Sequence, residues 1–179
     1  MEINVAQHEV RSVYWGGSVG QAVSGAIWLA SAALGTWVGV RYAIIMLVIG
    51  GIFIFPLTQL VFKLLGQRTS VSSGNPFNRL AMQIAFIVPL NIPVIGAAAL
   101  YNLNWFYPAF MLVVGTHYMP FISLYGMWQF GILAAALIGG GVAISLLLPH
   151  SFVIGGWVTG VLLVAFALAA RRMAGSIKS

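Results

Sequence analysis

Six apolar runs constrain this chain more than any other feature, because each is about the 20 residues that a helix needs to cross hydrocarbon. They occupy positions 13–37, 41–65, 79–100, 105–124, 128–148 and 152–170. None shows the strict alternation of a barrel strand. Only 6% of the 179 residues are charged, against about 25% in an ordinary globular chain. Too few charges exist to cover a soluble surface, so the expected fold is all-α: a polytopic transmembrane bundle of six spans.

The basic residues give the expected orientation. With both termini cytoplasmic, Arg11, Lys63, Arg68, Arg79, Arg171, Arg172 and Lys178 lie inside and only Arg41 lies outside. That is the bias that short cytoplasmic loops carry. The resulting organisation is a cytoplasmic segment over 1–12, one membrane domain over 13–171 and a basic tail over 172–179. The loop at 66–78 is the one long connection, and its Asn75-Pro76 pair is a good helix start. Trp and Tyr side chains fall at both expected boundaries, while Trp28, Tyr118 and Trp157 lie deeper. The expected location is the cell's inner (plasma) membrane. The net charge of +6 points to anionic lipid headgroups at the inner-face basic residues as partners, and not to nucleic acid.

Composition removes several chemistries. The chain has no cysteine, which rules out disulfides, thiolate metal sites and iron–sulfur clusters. Its two acids, Glu2 and Glu9, precede the first run, so no carboxylate is available for proton relays or metal cages in the membrane. His8, His117 and His150 stand at different depths, unsuited to a shared haem or zinc ion. No nucleophile elbow or phosphate loop is present. The expectation is therefore no cofactor, no metal and no catalytic constellation.

Uncharged polar residues are then the informative ones. By the helical rise, Gln21, Gln59 and His117 stand about 12, 9 and 10 Å from the inner ends of their helices. Gln83 stands about 6 Å in, and Asn91 lies near mid-membrane. Amides and imidazole are costly in hydrocarbon unless hydrogen-bonded, so these groups are expected to face inward and meet. Pro120 frees the carbonyl of Thr116 beside His117, and Pro56, Pro89 and Pro93 free others. Thr116 and Tyr118 complete the candidate cavity set of His117, Gln59, Gln21, Asn91 and Gln83. The plainer alternative is that these side chains only tie helices together. Gly16/Gly20, Gly35/Gly39, Gly156/Gly160 and the triplet at 139–141 offer close packing inside the chain or a homo-oligomer face.

The stretch 75–127 carries NPFN, AMQIAFIVPL and LNWFYPAFMLVVGTHYMPFISLYGM. With the upstream IWLASAAL and GGIFIFPLTQL, it resembles an uncharacterised family of small bacterial multi-pass membrane proteins. The resemblance implies that Gln83, Asn104, Trp105, Pro108, His117, Pro120 and Tyr125 are motif positions, and it supplies no activity. The leading expectation is a transporter or channel-like protein for a neutral or weakly ionised small molecule. The alternative is a non-transporting accessory or lipid-interacting scaffold, with an intramembrane enzyme ranked last.

Overall fold

The computed structural model describes residues 1–176, with side chains through Met173. Among these residues there is no strand. The helices are α1 (Ile3–Val13), α2 (Ser18–Trp37), α3 (Val40–Leu64), α4 (Phe77–Tyr101), α5 (Phe106–Tyr118), α6 (Phe121–Tyr125), α7 (Gln129–Leu147) and α8 (Ile154–Ser176). Five segments are long and apolar enough to cross a membrane: Trp15–Trp37, Val40–Leu64, Phe77–Tyr101, Gln129–Leu147 and Ile154–Met173. The last five residues of α8 take up part of the expected basic tail, and Lys178 lies outside the described residues.

The expected fourth span departs from this pattern. Its helix stops at Tyr118, and the chain turns at Met119-Pro120 before resuming as the five-residue α6. Pro120 has no N–H to offer the Thr116 carbonyl, which accepts instead from Met119 N at 3.2 Å in a tighter turn. The thirteen residues of α5 rise only about 20 Å, short of a full crossing. Pro56, Pro89 and Pro93, by contrast, sit inside unbroken helices.

The N-terminal segment is a helix of its own. Ala6, Val10 and Val13 recur at helical spacing and are buried, while the intervening positions carry Gln, His, Glu and Arg. A corner follows in which Trp15, Gly16 and Gly17 all take left-handed backbone angles, with φ of 50°, 63° and 78°. Two glycines make that corner affordable, and it redirects the chain into α2.

Packing divides the long helices into two groups. One is α2 with α3 and α8; the other is α5 with α4 and α7, and α8 joins them by touching α5 and α7. Small residues set the spacing. A Cβ on Gly160 of α8 would stand 2.7 Å from Leu29 Cγ and 3.0 Å from Leu29 N on α2. One on Gly141 of α7 would stand 2.9 Å from the Pro108 carbonyl oxygen on α5. Gly156 and Gly160 therefore pack within the chain, as close approach in lipid requires. The helices α3 and α4 lie outside: only 6% and 11% of their membrane-length windows are buried.

Candidate functional site

The buried face of α2 is a polar stripe. Ser18, Gln21, Ser24, Trp28 and Ser31 recur every three or four residues on that face, all polar but the tryptophan. At the upper end, Ser31 Oγ donates to the Ala43 carbonyl of α3 at 2.7 Å. Its hydroxyl has one proton, so the 2.6 Å contact with Tyr107 is donated by the tyrosine. Trp28 packs on Tyr107 and Phe110 just below, and seals that end with rings.

At the lower end, Gly17 lies against the rings of Tyr125 and Phe130, which a Cβ there would meet at 3.4 Å. Gln21 stands between these closures, about 10 Å along the helix from Trp28. It is only 2% exposed, and neither Nε2 nor Oε1 has a hydrogen-bond partner. Ser18 Oγ on the same face is also buried and unpartnered, as are Thr159 Oγ1 of α8, Gln59 Oε1 of α3 and Gln129 Oε1 of α7. An amide left this way costs several kcal/mol in a non-aqueous interior. Such a group calls for water or a polar solute beside it.

The other expected site residues are placed differently. His117 Nδ1 pairs with the Ile84 carbonyl of α4 at 3.1 Å, and its ring packs on Tyr118 and Phe121. Tyr118 is buried and stacks on Phe130. Thr116 is exposed and donates to the Val113 carbonyl of its own helix. Asn91 is half-buried and donates to the Ile87 carbonyl, again within its helix. Gln83 is exposed, and Gln59 is half-buried on α3. Among the described residues no hydrogen bond joins any two of the seven. The α3 helix packs on α2, whereas α4 and α5 pack on each other, so Gln59 and His117 belong to opposite groups.

Sequence reasoning missed Ser18, Thr159 and the Ser31–Tyr107 pair. The spacing of Ser18, Gln21, Ser24 and Ser31 was the available signal. It also missed a clasp below the bundle. Glu9 Oε1 accepts from Ser72 N at 2.7 Å, and Oε2 accepts from Ser72 Oγ at 2.9 Å and Asn75 Nδ2 at 2.8 Å. The donors, Asn75 first and Ser72 next, hold the Glu9 carboxyl below its usual pKa, and the Arg68 charge adds to this. Asn75 Oδ1 caps Phe77 N at 2.9 Å, which begins α4. Gln7 Nε2 donates to the Ser123 carbonyl at 2.7 Å, so α1 is fixed to α6 as well.

Among the described residues, five helical segments are long and apolar enough to cross a membrane, as in a helical membrane protein, and small residues close them on one another around a polar stripe. The chain belongs to the family of unknown function DUF7010, whose model matches residues 3–172. No curated protein and no solved structure matches it.

Proposed function

We propose that this protein is a transporter or channel-like protein for a neutral or weakly ionised small molecule, and that Gln21 is the group the solute meets. The carrying observation is the fully buried, wholly unpartnered Gln21 amide between two aromatic closures. Ser18 lies one turn away on the same face and extends the polar path. An interior without carboxylates favours a solute bound by hydrogen bonds over a strongly coupled cation.

In this reading α5 and α6 together make the sixth crossing. The segment runs alongside α7: Phe106 stacks on Phe152, in the connection that follows α7, at one end, and Tyr125 stacks on Phe130 of α7 at the other. Both termini then face the cytoplasm in the cell's inner (plasma) membrane, with the basic residues against anionic headgroups.

Vesicles containing the purified protein, challenged osmotically with urea and with glycerol, test the reading by light scattering. Faster equilibration than in empty vesicles, lost on Gln21→Leu, is the expected result. Equilibration identical to empty vesicles for both solutes, with a higher unfolding temperature for Gln21→Leu, would overturn it. A second reading is a non-transporting accessory or scaffold protein that self-associates. It is favoured by the nearly unburied α3, and by His117, whose hydrogen bond ties α5 to α4.

A further inference from the structure

Between α1 and the 66–78 loop lies a groove of about 420 Å³, at the end of the bundle where α2 begins. Its walls combine three chemistries. Val5 and Val13 of α1 are apolar, His8, Ser12 and Gln67 are polar, and Glu9 and Arg68 are charged.

The two charges are arranged unusually. Arg68 acts on Glu9 through space, yet no nitrogen–oxygen contact within 4.0 Å makes them an ion pair. They present opposite signs to one groove without neutralising each other. Glu9 is held in place by its clasp. Its Oε2 already accepts two hydrogen bonds, but Oε1 accepts only one, from Ser72 N. A carboxylate offers about four acceptor positions, so Oε1 keeps one for a further donor. A guanidinium such as that of Arg68 is suited to a phosphate.

The apolar side completes the pattern. Val5 is 54% exposed beside the polar wall, and Ile3 on the same helix is 66% exposed. A helix with one apolar face buried and further apolar side chains open at its start suits the headgroup boundary of a membrane. Trp15, directly after α1, carries the Arg171 guanidinium 3.7 Å above its ring, a pairing typical of that boundary.

We propose that this groove binds the headgroup of a zwitterionic aminophospholipid, with the phosphate on Arg68, the ammonium on Glu9 Oε1 and the acyl chains leaving past Val5. An anionic headgroup without an amine, such as that of phosphatidylglycerol, would offer the Glu9 carboxylate only neutral hydroxyls, which are weaker donors than an ammonium. A quaternary amine would bring no N–H for Oε1. The inference rests on the membrane reading above and not on solute movement.

Native mass spectrometry of the full chain in detergent tests it, with phosphatidylethanolamine, phosphatidylcholine and phosphatidylglycerol supplied at equal concentration. Phosphatidylethanolamine is expected to be retained about tenfold over phosphatidylcholine, the ratio that one charge-assisted hydrogen bond supplies. Glu9→Gln should erase that preference, and Arg68→Ala should weaken retention of phosphatidylethanolamine. Because Glu9→Gln also weakens the clasp, Val5→Trp serves as the second variant. It fills the groove from an exposed position, leaves the clasp untouched, and should block retention. Equal retention of the ethanolamine and choline lipids, or retention unchanged by Val5→Trp and Arg68→Ala, would overturn the proposal. Displacement of the lipid by equimolar O-phosphoethanolamine would overturn the lipid assignment in favour of a soluble phospho-amine. A chain that stays dispersed without detergent would instead remove the membrane reading.

Discussion

Ser31 Oγ and Tyr107 Oη lie 2.6 Å apart where both residues are 0% exposed, and this contact joins α2 to α5 across the two helix groups. Ser31 donates onward to Ala43, so one serine links three helices. Tyr107→Phe removes a single donor and should lower stability by about 1 kcal/mol. Ser31→Ala leaves the tyrosine hydroxyl buried without an acceptor and should cost more, about 2 kcal/mol. Unfolding midpoints in detergent for both variants check the order. Equal losses would mean that the tyrosine hydroxyl finds another acceptor.

Gly160→Ala should destabilise by about 1–3 kcal/mol, because the new Cβ meets the Leu29 backbone nitrogen as well as its side chain. Gly139 has nothing within 4 Å of an added Cβ, so Gly139→Ala should be neutral or slightly stabilising. Thermal unfolding of the pair in one detergent separates the two cases. A loss at Gly139 as large as that at Gly160 would place a second copy against that face.

Acid should open the clasp between α1 and the 66–78 loop. The Glu9 carboxyl is held below its ordinary value of 4.5, so its contribution is complete above that value and is lost as pH falls through the lowered one. Hydrogen exchange at the Ser72 amide, whose acceptor is Glu9 Oε1, should speed up below pH 4.5 relative to its intrinsic rate. The Asn91 region, held by a bond within α4, should not respond. Protection at Ser72 that is independent of pH would refute the assignment.

His117→Phe keeps an aromatic ring beside Tyr118 and Phe121 and deletes the bond to the Ile84 carbonyl. The expected loss is about 0.6 kcal/mol, the mean for interhelical hydrogen bonds in membranes. Any solute permeability that depends on Gln21 should persist. Its abolition by His117→Phe would move the site to α5.

The long helices were legible because hydrophobic length and the Asn75-Pro76 helix start are local signals. α3 and α7 begin and end within one residue of the apolar runs that announced them, and α4 within two. The break at Pro120 was visible as a proline but not as the end of a helix. Pro56 sits in a similar setting and leaves α3 intact. The difference is tertiary: Tyr118, Phe121, Tyr125 and Phe130 form one ring cluster that holds the redirected chain.

The polar layer was legible in height alone. Counting residues from the helix ends gives depth, but it gives no direction around the helix and no choice of neighbour. Gln59 and His117 were expected at nearly equal depth, and the fold assigns their helices to different groups. Gln21 too was expected from its depth alone, and the direction it faces follows from the polar residues its own helix repeats on one face. Ser31–Tyr107 was not, since the partners are 76 positions apart.

The outward position of α3 and α4 bears on how this sequence can drift. Side chains such as Ile45, Ile49, Phe53, Phe86 and Val94 are about half or more exposed. Almost any aliphatic or aromatic residue would serve lipid equally well there. Mutational tolerance should therefore be broad along those two rods and narrow along α2, α5 and α8. Most of the information that specifies this protein is written in its three inner helices, whose buried stripes admit few alternatives.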